Sequence, residues 1–131
     1  MYNRRRSVLI AESDRAIAQL LRLHLERAGF SVFVAYDGEQ AAILAARQRF
    51  ELIVTSLNLP VMDGAQFCQH VREELQLTEV PIVVCPEANF EEEAEELQFL
   101  YGVTHVVSRP IDPSAIVKIA ESAVDYLVTF A

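Results

Sequence analysis

Apolar and polar residues alternate along this chain in blocks that predict strands and helices in turn. Five short apolar runs have the continuous hydrophobicity of strands that are covered on both faces. These predicted strands are Ser7–Ala11, Ser31–Ala35, Leu52–Thr55, Pro81–Cys85 and Thr104–Val107.

Segments with apolar residues at helical spacing follow each of these runs, which predicts five helices. The first begins after Ser13 or Asp14, either of which can cap it, and Gly29 ends it. The other four are Glu39–Gln48, Asp63–Leu75, Phe90–Tyr101 and a last helix that opens at Asp112–Pro113.

Five strand–helix pairs in sequence favour one α/β domain, because parallel strands need right-handed crossover connections. The most economical arrangement is a flavodoxin-like five-stranded parallel sheet in the order 2-1-3-4-5, with helices on both faces. We expect residues 7–130 to form this single domain. We expect residues 1–6, which include Arg4, Arg5 and Arg6, to form a flexible basic N-terminus.

The carboxyl ends of the strands are where such a sheet places its ligand crevice, at the switch point between the first and third strands. Six residues are predicted to surround that crevice. Three follow the first strand, one ends the third, and two flank the crevice from the fourth and fifth strands: Glu12, Ser13, Asp14, Ser56, Pro86 and Arg109.

Composition narrows the classes of function for this chain of 131 residues. The net charge of −8 argues against nucleic-acid binding by this domain, which would favour a basic face. There is no apolar run long enough for a membrane span and no secretory signal, so we expect a cytoplasmic protein with reduced cysteines. His24 lies on the apolar stripe of the first helix, and His70 and His105 lack ligand-like spacing with each other or with the cysteines, so no metal site is predicted.

Three spaced motifs, Val8–Asp14, Leu59–Gly64 and Ser108–Asp112, resemble the landmarks of a response-regulator receiver domain. The resemblance extends over nearly the whole chain, from Ser7 to Leu127. It implies the flavodoxin-like fold and a role in two-component signalling. It also implies a cis peptide bond between Arg109 and Pro110.

The phosphotransfer residues of that family do not carry over to this sequence. The resemblance implies an acceptor aspartate at the end of the third strand, where this chain has a serine whose hydroxyl needs a neighbouring base to attack. It also implies an acid pair for Mg²⁺, a hydroxyl residue after the fourth strand, a lysine after the fifth and an aromatic switch residue. The residues found at these five positions are Ser56, Glu12–Ser13, Pro86, Arg109 and Val106. We therefore expect a non-enzymatic, degenerate receiver that has no cofactor and binds Mg²⁺ weakly or not at all.

Without Mg²⁺, the remaining acids of the crevice need another partner. We expect Arg109 to pair with Glu12 or Asp14 and to hydrogen-bond Ser56, which would hold the crevice in one state. Two alternatives stay open. One is an active receiver that is phosphorylated on a displaced carboxylate, Asp14 or Asp63, and the other is a pseudo-receiver whose crevice senses a small ligand.

The acidic fourth helix predicts a surface for protein contacts. Receivers commonly signal or form homodimers through the fourth helix, fifth strand and fifth helix, so the partner would be an output domain, a kinase, an adaptor or a second copy. The alternative is a solvated face whose acids lie favourably near the helix N-terminus. A transcription factor whose DNA-binding part lies outside this chain would fit the first interpretation. The candidate contact residues are Glu92, Glu93, Glu96, Lys118 and Tyr126.

Overall fold

The computed structural model describes residues 6–130, and the surroundings of side chains for residues 6–124. Strands and helices alternate through the described chain, with every predicted strand and helix present. The elements are β1 (Ser7–Ala11), α1 (Arg15–Arg27), β2 (Ser31–Ala35), α2 (Gly38–Arg47), β3 (Leu52–Thr55), α3 (Gly64–Gln69), β4 (Ile82–Val84), α4 (Glu91–Tyr101), β5 (His105–Val106) and α5 (Pro113–Phe130).

The five strands form one parallel sheet in the order β2-β1-β3-β4-β5, which confirms the predicted topology. Its centre is β3, paired with β1 on one side and β4 on the other. The strand β4 is two residues shorter than predicted. Pro81 and Cys85 lie just outside it, and each forms one backbone hydrogen bond with a residue of β3. Because β1 and β3 are neighbours, their carboxyl ends face the same point at one edge of the sheet.

The two faces of the sheet carry separate apolar cores, since successive side chains of a strand point to opposite faces. Leu9, Ile53 and Phe67 belong to the core beneath α2, α3 and α4. Ile10 and Ile116 belong to the other core, beneath α1 and α5. This double covering explains why every residue of β1 and β3 is buried.

The helix that follows the β3 loop differs from the prediction. A continuous helix was expected over Asp63–Leu75, but α3 ends at Gln69 and a separate π-helical turn, His70–Glu74, follows it. One wider turn shifts the phase of the helix by about one residue. Apolar spacing alone therefore could not distinguish the two forms.

Asp63 is the N-cap of α3 and forms a capping box with Gln66. The turn between β3 and this cap folds back onto the strand end, where the backbone N–H of Gly64 donates to the Leu57 carbonyl at 2.8 Å. A Cβ atom at Gly64 would lie 2.1 Å from the Ser56 carbonyl oxygen, so only glycine allows this approach. The close approach holds the loop against the crevice.

At the N-terminus, residues 1–5 of the predicted basic segment lie outside the described residues. Arg6 is half-buried, with its guanidinium carbon 4.5 Å from the centre of the Phe30 ring, and its carbonyl accepts from Ser31 N–H. The peptide bond between Arg109 and Pro110 is cis, as expected. No described helix is both long enough and apolar enough to cross a membrane.

Candidate functional site

The crevice lies where the backbone continues past β1 and β3. Glu12 follows β1, and its N–H donates to the Ala35 carbonyl at 3.0 Å. Ser56 follows β3, and its N–H donates to the Ala11 carbonyl at 3.0 Å. Both side chains are buried, so the strand ladder brings an acid and a hydroxyl out of solvent at adjacent strand ends.

An ion pair between Arg109 and Glu12 lies in this crevice. Nη2 of Arg109 is 2.8 Å from Oε1 of Glu12, and the side chains are only 18% and 5% exposed. The guanidinium also donates to the Cys85 carbonyl, from Nη2 at 2.9 Å and from Nε at 3.2 Å. The second oxygen of Glu12 accepts from Asp14 N–H at 3.0 Å. These contacts supply the partners that a buried carboxylate requires.

Ser56 does not take part in this network. Its side chain is 2% exposed, and its Oγ has no hydrogen-bond partner among residues 6–124. The predicted hydrogen bond between Arg109 and Ser56 is therefore wrong, because the guanidinium is directed to Glu12 and to the Cys85 carbonyl instead. A hydroxyl with no neighbouring base is a poor nucleophile.

The other predicted crevice residues have separate roles. Ser13 and Asp14 are exposed, and Asp14 caps α1 by accepting from Ala16 and Ile17 N–H at 2.9 and 3.2 Å. Pro86 is buried and offers no backbone N–H. Val106 is half-buried on β5 and packs against the core beneath α4. Of the predicted set, only Glu12, Ser56, Pro86 and Arg109 are buried or half-buried at the crevice.

Glu87 is a crevice residue that the sequence analysis missed. Its Oε1 accepts from the backbone N–H of Leu57 at 3.1 Å, and both of its carboxylate oxygens lie 3.2–3.3 Å from Asn58 N. Residue 87 comes only three positions after β4, at the same edge of the sheet as Ser56. The available signal was an acid immediately after Pro86, the residue predicted to flank the crevice from the fourth strand.

The Cys85 thiol is buried in the apolar core beneath α1 and α5. Burial raises the pKa of the Cys85 thiol to about 12, with smaller influences from the charges of Arg109, Glu12 and Glu87. Burial also raises the pKa of the other thiol, that of Cys68, to about 12. Both cysteines are free and buried, which makes them packing residues and not reactive thiols at neutral pH.

The second candidate surface is the outer side of α4. Glu92, Glu93 and Glu96 are exposed there, and Lys118 is exposed on α5. Phe99 is 92% exposed and Leu100 60% exposed, which places two large apolar side chains beside the acids. Both residues lie outside the buried stripe of the helix, which includes Ala94 and Leu97. The side chain of Tyr126 lies outside the described residues.

No group of three or more histidine, cysteine, aspartate or glutamate side chains within the described residues has an arrangement that could hold a metal ion. A cavity of about 700 Å³ lies at the opposite edge of the sheet, lined by residues that precede β3 and β4, such as Phe50 and Leu77. This cavity contains none of the crevice residues.

Comparison with known families gives a match to the model of the response regulator receiver domain over residues 8–121. Among curated proteins, the chain is 27% identical over 108 residues to the alkaline phosphatase synthesis transcriptional regulatory protein PhoP of Bacillus subtilis, covering 82% of this chain and 44% of that protein. It is 35% identical over 77 residues to the DNA-binding dual master transcriptional regulator RpaA of Synechocystis, covering 59% of this chain and 32% of that protein. The chain thus spans less than half the length of these two relatives.

Solved structures give the same result at the level of the fold. The receiver domain of the Francisella response regulator 1452 superposes with a TM-score of 0.82 at 22% identity, covering 92% of this chain and 98% of that one. The chemotaxis response regulator CheY4 of Vibrio cholerae superposes with a TM-score of 0.78 at 30% identity, covering 89% of this chain and 97% of that one.

Proposed function

This chain belongs to the response regulator receiver domain family, and from that premise we propose that it signals through protein contacts without phosphorylation of an aspartate in its crevice. In this proposal Ser56 stands where an active receiver has its acceptor. The domain then catalyses no phosphotransfer and acts in the cytoplasm as a binding module.

The observation that carries the proposal is the chemistry at the end of β3. The Ser56 hydroxyl has no hydrogen-bond partner among the described residues, so nothing there is positioned to remove its proton. The carboxylate of Glu12, across the crevice, is held by Arg109 at 2.8 Å. A buried ion pair and an unactivated hydroxyl give a static site.

The crevice does not fit Mg²⁺. This ion requires near-octahedral oxygen coordination, usually with one or two carboxylates among its ligands. Two carboxylates reach the buried part of the crevice, but Oε1 of Glu12 is already paired with a guanidinium and Glu87 already accepts from the backbone N–H of Leu57. The charge that a cation would supply there comes from Arg109, so binding of Mg²⁺ is expected to be weak or absent.

The alternative of a displaced acceptor has less support from the local geometry. Asp14 caps α1 and Asp63 caps α3, so both carboxylates already accept backbone hydrogen bonds. The alternative of a ligand-sensing crevice stays a prediction. It is weakened by the side chains of Arg109 and Glu87, which occupy the two sides of the crevice.

Incubation with acetyl phosphate and Mg²⁺, followed by intact mass measurement, tests the proposal. We expect no labile gain of one phosphoryl group, while a receiver that has an aspartate at the end of β3 serves as the positive control. A labile adduct that disappears in the variants Asp14→Asn or Asp63→Asn would identify the displaced acceptor and refute the proposal.

The partner surface of the proposed module is the face formed by α4, β5 and α5. The support is its composition, with acids next to the exposed Phe99 and Leu100. The relatives PhoP and RpaA are transcriptional regulators of which this chain spans less than half, so an output domain for DNA binding is a further part of the proposal.

Self-association through this face can be tested by analytical ultracentrifugation. If a homodimer forms through it, Phe99→Ser should weaken the dimer. Leu23→Ser, which changes an exposed apolar residue of α1, is the matched control. Equal effects of the two variants would contradict the proposed dimer surface.

A further inference from the structure

The contact between Glu87 and the loop after β3 is long-range and specific. One carboxylate accepts from two successive backbone N–H groups, those of Leu57 and Asn58, over a separation of 30 and 29 residues. The carboxylate satisfies both N–H groups with charge-assisted bonds. Two adjacent N–H groups directed at one acceptor are the kind of backbone arrangement that binds anions.

The conformation of the loop that carries Glu87 directs this side chain toward β3. Pro86 fixes its own backbone angle φ and is buried beside the crevice. Asn89 has a positive φ of 75°, and the N–H of Phe90 donates back to the Glu87 carbonyl at 3.0 Å. The turn closes just before α4, so it holds the half-buried Glu87 side chain toward β3.

Two charged side chains of the chain itself pair with groups of the crevice. Arg109 provides a cation beside Glu12, and Glu87 provides an anion at the Leu57–Asn58 backbone. Arg109 also donates to the carbonyl of Cys85, two residues before Glu87 along the chain, so both charged side chains are tied to the same segment after β4.

We propose that the backbone N–H groups of Leu57 and Asn58 form an anion-binding site that the chain fills with its own Glu87 carboxylate. The carboxylate excludes phosphate-like oxyanions from the crevice. It also ties the β3–α3 loop to the start of α4, so the interaction face is held in a single position without any external ligand. The internal anion would regulate the same crevice, so this part of the proposal rests on the proposed function.

The first experiment compares amide NMR spectra of the wild-type chain, Glu87→Gln and the control Glu121→Gln, which removes an equal charge from an exposed position on α5. In Glu87→Gln the amide proton signals of Leu57 and Asn58 should move upfield, since their charge-assisted bonds are weakened. The control should leave both signals in place. Unchanged Leu57 and Asn58 signals in Glu87→Gln would overturn the proposal.

The second experiment titrates inorganic phosphate into the wild-type chain, Glu87→Ala and Glu121→Gln, and follows the same two amides. If the site is vacant about 1–10% of the time, its apparent affinity for an outside anion is reduced about 10–100-fold. Glu87→Ala should therefore bind phosphate at these amides roughly tenfold more tightly, or better, than the other two. Equal affinity in all three proteins, or no phosphate response in a Glu87→Ala variant whose remaining spectrum is native, would overturn the proposal.

These readouts are non-covalent and need neither Mg²⁺ nor a phosphoryl donor. A covalent phosphoryl adduct would refute the proposed function while leaving the Leu57 and Asn58 signals to be judged separately. The absence of a phosphate response at these amides in a natively folded Glu87→Ala variant would refute the anion-binding site. It would not change the conclusion drawn from the mass measurement.

Discussion

Replacing Arg109 by alanine tests the central electrostatic contact of this domain. The change removes the partner of the Glu12 carboxylate, which is 5% exposed, together with two hydrogen bonds to the Cys85 carbonyl. Glu12 would keep one backbone bond, from Asp14 N–H. A buried charge that has lost its ion partner is strongly destabilising, because little water can reach it to replace the lost contact.

The size of the effect follows from the burial of the pair. Removing one member of a buried pair costs about 3–5 kcal/mol, and the 18% exposure of Arg109 admits some water, so we expect roughly 2–4 kcal/mol of lost unfolding free energy. For a domain of this size that corresponds to a fall in Tm of about 10 °C. The chain contains a matched control in Arg22–Glu26, whose side chains are 43% and 45% exposed at 3.2 Å. Arg22→Ala should cost only about 0.3–0.5 kcal/mol.

Urea denaturation of the wild-type chain and both variants, read by circular dichroism, measures these differences. A double-mutant cycle of Arg109→Ala with Glu12→Gln then isolates the coupling between the two side chains. Added salt should weaken the surface pair more than the buried one. If Arg109→Ala destabilises the fold no more than Arg22→Ala does, the interpretation of the crevice as an internally neutralised site is refuted.

Three further predictions concern the loop after β3, the Cys85 thiol and the start of α5. Gly64→Ala should destabilise the fold by about 3 kcal/mol in urea denaturation, because its Cβ would lie 2.1 Å from the Ser56 carbonyl oxygen; an unchanged midpoint would show that the loop does not approach the strand as described. The Cys85 thiol, whose pKa burial raises to about 12, should react with a thiol reagent near pH 8 only after unfolding, and rapid labelling of the native protein would contradict its burial. The pKa of the Asp112 carboxyl is lowered by hydrogen bonds from the Ser114 hydroxyl and N–H, so its stabilising effect is present above the unfolded-state pKa and is lost as pH falls through the folded-state value. Ser114→Ala should raise that pKa toward its ordinary value in an NMR titration, and an unchanged pKa would assign the shift to other causes.

The strand order and the position of the crevice were predictable because they depend on periodicity. Continuous apolar runs separated by amphipathic segments leave few ways to cover a parallel sheet on both faces. The carboxyl ends of β1 and β3 then meet at one edge by geometry alone. Glu12 and Ser56 could for that reason be assigned to the crevice from their positions in the chain.

Side-chain partners were less predictable, since they depend on rotamers and loop shapes. Arg109 had several possible partners in the sequence, and the structure selects Glu12 and the Cys85 carbonyl over Ser56. Arg72 shows the same limit: its guanidinium joins the carbonyls of Leu77, Val80, Tyr101 and Gly102, a contact set that no local pattern indicates.

The sequence by itself determined the fold class and the residue types at the ends of β1 and β3, because residue identity and hydrophobic spacing are properties of the chain. Only the tertiary structure decided that Glu87 reaches the backbone of Leu57 and Asn58, and that Arg109 takes Glu12 as its partner. Residues separated by 29 to 97 positions come within hydrogen-bonding distance there. Their meeting is fixed by the closing of two loops over the sheet edge, which short-range propensity does not encode.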